Sequence, residues 1–519
     1  MADPESAPFV KFLQGFREKL RQDPTSFLDT AGQDLPHSDA SNELKYRNIL
    51  PLTDTNPLIT VFGPKVDRGR TPEQTQIFGE RVCARTISTY PLQTLGESAC
   101  RDGDPICDRY GFYLFTNRSI VVVADGCNWG ERPKRAAERA RNSVMGYLKE
   151  KNPKIQTVND AKLYLLRSFN DAHNRICEKH HPDEEIGSTT LLAGISMEIE
   201  GENGGPNEWA FVCTSVGDCK AFLIKENRSI IDITMNNRAE SLNATDCGGR
   251  LGPVMPDGGP DLRNLNTFVH RVAPGDMIMV MSDGIHDNLH PQSLDISPKE
   301  LKLRYNTWEE ASKEISVEEI ASRFRVKFLQ YMLGERSYTP LNILDCSIKL
   351  SEDATYTSRE FMETQPGKRL PKDYRLYPGK MDHTTGLIFR VGPADFQSPI
   401  SPTLNAKASV ALSEERSMCV PISITMSRTA DRFTIYCRTV AKGKFECLAK
   451  RSECVLTVSP RKQFIPELGE EVCGVDELSI SASRVIKVPE NLLIDVHSKE
   501  ICYDSNSGII TIRFACKDK

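Results

Sequence analysis

The sequence predicts an α+β region followed by an all-β region, and three observations carry that expectation. Two helical stretches follow one another, 133–150 and about 158–180, with apolar strand candidates on both sides. Short turns join the strands, which favours antiparallel sheets with the helices segregated from them. After about residue 410 helical periodicity gives way to alternating short strands and turns. No G-x-G-x-x-G or Walker loop follows any strand, so a doubly wound nucleotide-binding fold is disfavoured.

Residues 1–84 read as a partly helical extension. It opens with an amphipathic helix bearing Phe9, Phe12, Leu13, Phe16 and Leu20, and polar, proline-spotted sequence follows. From 85 to 395 the strand candidates are 120–124, 189–197, 209–216, 219–225, 267–272, 276–282 and 386–391. Between the first two lie the helices. "PKRAAERARNSVMGYLKE" starts with Pro133, suited to a first turn. The second carries a stripe of Leu165, Leu166, Phe169, Ala172 and Ile176, read as core. Residues 290–380 turn polar and then loop-like, as an insertion before one last strand. A proline- and serine-bearing linker spans 396–409. Residues 410–519 then read as a separate all-β domain of sandwich type, with "SNSG" as a hairpin signal.

Composition narrows the function classes. A net charge of -5 over 519 residues argues against a general nucleic-acid binder, which would need a clustered basic face. No apolar run approaches the roughly 18 residues of a membrane span. The charged N-terminal stretch lacks the apolar core of a signal peptide, so cytoplasm or nucleus is expected. The 16 cysteines then read as small buried side chains in a reducing compartment, and the sequons at Asn117, Asn227 and Asn243 as chance matches.

One pattern recurs. "SIVVVADGCNWG" runs an apolar strand into Asp125 and Gly126. "DMIMVMSDGIHDNL" does the same at Asp283, with Asp287 four residues on. Asp218 stands at a tight turn between two apolar strands, and Asp382 immediately precedes the last strand. Any one of these is an ordinary turn residue. Delivered to a common rim, they would form an oxygen-rich pocket suited to Mg²⁺ or Mn²⁺ rather than zinc.

In order, "VVVADG", "IGSTTLLAG", "SVGDCKAFLI", "APGDMIMVMSDGIHDNL" and "DHTTGLI" resemble the motifs of the metal-dependent type 2C protein serine/threonine phosphatases. The resemblance spans about 85–395. It implies a four-layer αββα sandwich: two antiparallel sheets packed face to face between helix pairs, with a two-metal centre at one end. Asp125 would bridge both ions, the Gly126 carbonyl would bind one, and Asp283 and Asp382 the other. Asp218 and Asp287 match a weaker third site. For a further acidic residue upstream of the first strand, Asp104 is the candidate, with Asp102 and Asp108 as competitors. Gly187 to Thr189 would pack beside the centre. The activity implied is hydrolysis of phosphoserine or phosphothreonine on proteins by a metal-activated water.

Two departures stand out. Eukaryotic members place a histidine, proposed as general acid, where this chain has Cys127. The phosphate-gripping arginine has no clean counterpart; Arg101 is nearest and Arg85 is another choice. These departures keep open a catalytically impaired pseudophosphatase that acts as an interaction scaffold. Either way the partner is a phosphoprotein substrate or another protein, with the β region as an interaction module.

Overall fold

The computed structural model describes residues 8–22, 44–66, 75–95 and 98–394, save 180, 182, 239–245, 335 and 372, together with the strands of 422–518. The chain divides into two compact units, 1–397 and 398–519.

The first unit opens with α1 (Pro8–Gln22) and the strands β1 (Ile59–Gly63), β2 (Gln76–Phe78), β3 (Val82–Ser88), β4 (Leu92–Leu95), β5 (Ser98–Arg101), β6 (Arg109–Leu114) and β7 (Arg118–Ala124). The helices α2 (Glu131–Lys151) and α3 (Val158–Cys177) come next. They lead to β8 (Leu191–Ile199), β9 (Glu208–Val216), β10 (Lys220–Ile224), β11 (Ile230–Asp232), β12 (Asn266–Val272) and β13 (Met277–Met281). After β13 come α4 (Asp283–His286), α5 (Trp308–Ala311), α6 (Val317–Leu333), α7 (Pro340–Ala354), α8 (Tyr356–Thr364) and finally β14 (His383–Arg390).

Two six-stranded antiparallel sheets result. One has the order β1-β6-β7-β8-β9-β12 and the other β11-β10-β13-β14-β3-β2. Strand periodicity explains the uninterrupted apolar runs. In β7, Ile120, Val122 and Ala124 pack against α2 and α3, while Val121 and Val123 point into the layer between the sheets. In β13, Met277, Met279 and Met281 face the other helices, and Ile278 and Val280 face the inter-sheet layer. Successive side chains point to opposite faces, so a strand covered on both sides must be apolar throughout. The four-layer sandwich implied by the motifs is therefore present.

On α3, Leu165, Phe169, Ala172 and Ile176 are buried as expected, but Leu166 turns outward at 40% exposure. Thr157 and Asp160 close a reciprocal capping box at its start, and the helix ends at Cys177.

Two boundaries differ from expectation. Residue 85 lies inside β3, and the sheets already use β1 and β2 upstream of it; α1 also packs onto this unit, with Phe16 against Phe324 and Phe328 at ring distances of 6.0 and 4.8 Å. The stretch 290–380 supplies α6 and α7, which cover the outer face of the second sheet. It is a layer of the fold rather than an insertion. Its polar sequence hid this because α6 and α7 bury only part of their circumference. In the second unit every described element is an antiparallel strand, in sheets of five, three and two strands; of these, the five-stranded sheet joins Ile422–Arg428, Arg432–Thr439 and Ile509–Asp518 among others. The expected linker 396–409 lies outside the described residues.

Candidate active site

The carboxylates arrive on strand ends held by main-chain contacts. The Asp125 carbonyl accepts hydrogen bonds from the Thr190 N–H (2.8 Å) and the Thr189 hydroxyl (2.7 Å), and the Cys127 N–H donates to Ser188 (2.9 Å). Gly126 pairs with Thr189 and must lack a side chain: a Cβ there would lie 2.6 Å from the Pro133 carbonyl. Asp283 opens α4 directly after β13. Gly284, next to it, leaves only 2.2 Å between an added Cβ and the His383 carbonyl. The Asp382 N–H donates to the Thr89 hydroxyl (2.7 Å), while its carbonyl accepts from the Thr89 N–H (2.9 Å).

These ends converge. Burial and then the neighbouring charges of Asp108, Asp283, Asp382 and Asp218 push the Asp125 carboxyl well above the ordinary range. Burial raises Asp382 to about 7, with Asp283 adding to the effect and Lys380 opposing it. Asp218 is raised well above its usual value by burial, against the pull of Arg238. For Asp287 burial is outweighed by Lys380 and Arg238, and the group falls well below the carboxylate norm.

Of the three upstream aspartates, Asp108 is the one that lies beside Asp125, Ser282 and Asp283. Asp108 is fully buried, accepts from the Ser282 hydroxyl (2.7 Å), and is raised to about 6 by burial. Asp104 instead accepts from the Arg101 N–H (2.9 Å) in the turn after β5, and Asp102 lines a cavity shared with Asp287 and Lys380. Arg101 donates to the Tyr90 carbonyl (2.6 Å), and Arg85 lies 3.9 Å from Asp345.

Sequence reasoning missed four neighbours. Lys380 contacts Asp283, Asp382 (3.0 Å) and Asp287 (3.2 Å) through its ammonium. Arg238, almost wholly buried, lies 3.4 Å from Asp287 and 3.7 Å from Asp218. The Tyr90 hydroxyl donates to Asp382 (3.0 Å), and its ring stacks edge-on against Trp129. Cys247 stands 4.0 Å from Cys127, sulfur to sulfur. The Cys247 hydrogen bond raises the Cys127 thiol well above its usual value, with burial adding; Cys247 is itself lowered to about 7 by Cys127, with Arg250 assisting against burial. Only the "DG" and "GD" turn signals were local; apart from Lys380 beside Asp382, these contacts form between residues far apart in sequence.

The donor chemistry fits a hard cation. All donors are oxygens, and the buried Asp108 Oδ1, Asp218 Oδ1 and Asp283 Oδ1 have no hydrogen-bond partner. As the side chains stand, among the described residues no group of three or more His, Cys, Asp or Glu is set to hold a metal ion, and the Lys380 ammonium lies among them. Two cavities flank the cluster, with the exposed Trp129 lining both. One, of about 580 Å³, includes Tyr90, Arg238, Asp287, Tyr377 and Lys380; the other, of about 700 Å³, includes Cys127, Arg132, Arg135, Ser188 and Arg250.

Residues 95–321 match the family model of protein phosphatase 2C. This stretch is phosphatase 2C-like. It is similar to the PP2C-like domain-containing protein CG9801 of Drosophila melanogaster, 27% identical over 217 residues that cover 40% of this chain and 29% of that protein. The chain thus spans less than a third of that curated relative's length. Solved structures similar to this phosphatase 2C-like chain include the Mycobacterium tuberculosis serine/threonine phosphatase PstP/Ppp (15% identity, 60% of this chain, 98% of that one, TM-score 0.30). Another is the S. agalactiae serine/threonine phosphatase (14%, 60% and 99%, TM-score 0.32). PstP has also been solved with two manganese ions (15%, 60% and 98%, TM-score 0.29) and RsbX with magnesium (13%, 62% and 99%, TM-score 0.29).

Proposed function

We propose that this chain hydrolyses phosphoserine and phosphothreonine on proteins with Mg²⁺ or Mn²⁺, two ions with a weaker third. The observation that carries this reading is the convergence of Asp108, Asp125, Asp283 and Asp382 with buried carboxylate oxygens left unpartnered. Asp125, the Gly126 carbonyl, Asp108, Asp283 and Asp382 would hold the ions, and Asp218 and Asp287 the third. A divalent ion bound there supplies a water of lowered pKa and offsets charge on the phosphoryl oxygens.

The chain's own groups do the rest. The Tyr90 and Ser282 hydroxyls fix the orientation of Asp382 and Asp108. Arg250, beside Cys127 in the larger cavity, offers a guanidinium to the phosphate in the role expected of Arg101. Cys127 keeps its proton on Sγ at neutral pH and stands in the general-acid position, where a thiol raised above its usual value donates only slowly to a developing serine alkoxide. Cytoplasm or nucleus is the proposed setting; among the described residues no helix is long and apolar enough to cross a membrane. The second unit is proposed as a protein-interaction module.

A pseudophosphatase is the second reading, favoured by the Lys380 ammonium amid the carboxylates. The test is turnover of a phosphopeptide and an aryl phosphate with Mn²⁺, wild type against D283N. The phosphatase reading expects the variant to lose roughly a hundredfold in kcat on both. Wild-type turnover no higher than the variant's on either substrate leaves the scaffold reading.

A further inference from the structure

We propose that Lys380 is a tethered cation that occupies the Asp283–Asp382 side of the centre, so that a second divalent ion binds only by displacing its ammonium. This rests on the metal-dependent reading above. The Lys380 Nζ contacts one oxygen of each of Asp283, Asp382 and Asp287, three carboxylates from two separate stretches of chain.

Its placement is built into the loop. The Lys380 N–H donates to Asn288 Oδ1 (2.8 Å), and its carbonyl accepts from Asn288 Nδ2 (3.0 Å). Gly379 before it has a φ of +81°, and its N–H donates to the Ser293 carbonyl (2.8 Å). The main chain is clamped, and Lys380 lines the cavity of about 580 Å³ into which its four-carbon stem could withdraw.

The centre is consequently lopsided. Asp283 and Asp382 already share a fixed positive charge, and Arg238 does the same for Asp218 and Asp287. On the other side Asp108 Oδ1 and Asp283 Oδ1 have no hydrogen-bond partner, and Asp125 is crowded by four like charges. The first ion therefore goes to Asp125 and Asp108. A second must compete with Lys380 for the same oxygens, because an ammonium and a divalent ion repel at such range.

The experiment counts Mn²⁺ on the full-length chain by calorimetry, with free ion followed by its electron paramagnetic resonance signal. Wild type and K380M are compared, and circular dichroism checks that each is folded. K380Q, neutral but still able to hydrogen-bond the carboxylates, serves if methionine disturbs folding. The expected result is one tight ion in wild type and two in the neutral variant, the second bound at least tenfold tighter than in wild type. Equal number and affinity in wild type and variant overturns the role of Lys380 and leaves the metal reading intact. No Mn²⁺ bound by any of these proteins removes the metal reading, and the competition with it.

Discussion

At the scale of single residues, Cys127 is where the chemistry of this chain is most exposed to test. Its thiol is protonated because Cys247 and burial hold it so, and the same pair lowers Cys247 to about 7. A thiol raised that far is a sluggish acid for a developing alkoxide, whereas an aryl oxide needs no proton at all. Cys127→His should therefore raise kcat/KM on a phosphoserine peptide while leaving aryl phosphate turnover within about twofold. An unchanged ratio between the two substrates would place the limitation elsewhere. Residues of this kind were unevenly legible in the sequence. Asp125, Asp283 and Asp382 announced themselves as carboxylates ending apolar runs. Asp108 was only one of three choices, because "CRDGDPICD" offers three aspartates and burial alone decides among them. Lys380 and Arg238 gave no signal, since a lysine or arginine in a loop looks solvated until the partner strands close over it.

At the scale of elements, α6 shows how a polar stretch becomes a layer. "SVEEIASRF" reads as a solvated helix start, yet Glu318 is 1% exposed, and it bonds Arg325 on its own helix (2.9 Å) and Lys220 on β10 (2.8 Å). Lys220 lies 3.3 Å from Asp232, which also accepts from the Ser322 hydroxyl (2.7 Å). This buried network ties α6 to β10 and β11, and it escaped the sequence because its periodicity is electrostatic rather than apolar. Burial raises the pKa of Glu318, but Arg325 and Lys220 outweigh it and hold the carboxylate charged. Glu318→Ala strands two buried cations and should destabilise the chain by about 3–5 kcal/mol in urea unfolding. Glu319→Ala, which breaks a partly exposed pair with Arg323, should cost no more than about 1 kcal/mol. Equal losses would show that the network contributes nothing beyond an ordinary surface pair. A smaller effect belongs to α3: Thr157→Ala removes the capping box and should cost about 1 kcal/mol.

At the scale of the whole molecule, the layered first unit was legible because strand and helix periods are local, while its edges were not. β1 and β2 are short and carry no apolar run long enough to mark them, although both belong to the sheets. The same burial that makes the layers governs how the molecule meets acid. His290, 5% exposed, is surrounded by Arg325, Asp287, Glu318 and Arg238, and burial pushes it down to about 3. Its Nδ1 accepts from the Gln292 N–H (3.1 Å), so the native state holds a neutral ring. Unfolded, the same ring titrates near 6.5. A folded value below the unfolded one means that the stability is present above about 6.5 and is lost as pH falls toward 3. The loss is at most about 1.4 kcal/mol per pH unit. Asp108 and Asp382, raised to about 6 and about 7, act with the opposite sign: what they contribute is present in acid and lost as pH rises through those values. Wild type alone thus reports a sum, and the histidine must be isolated by difference. His290→Asn keeps an acceptor for the Gln292 N–H and cannot be protonated in this range. Urea midpoints measured from pH 7 to 4.5 should fall more steeply for wild type than for His290→Asn, the two curves converging as the pH drops. Parallel curves would mean that His290 carries its proton in the folded chain, and that the polar floor beneath α6 is wetter than its burial implies.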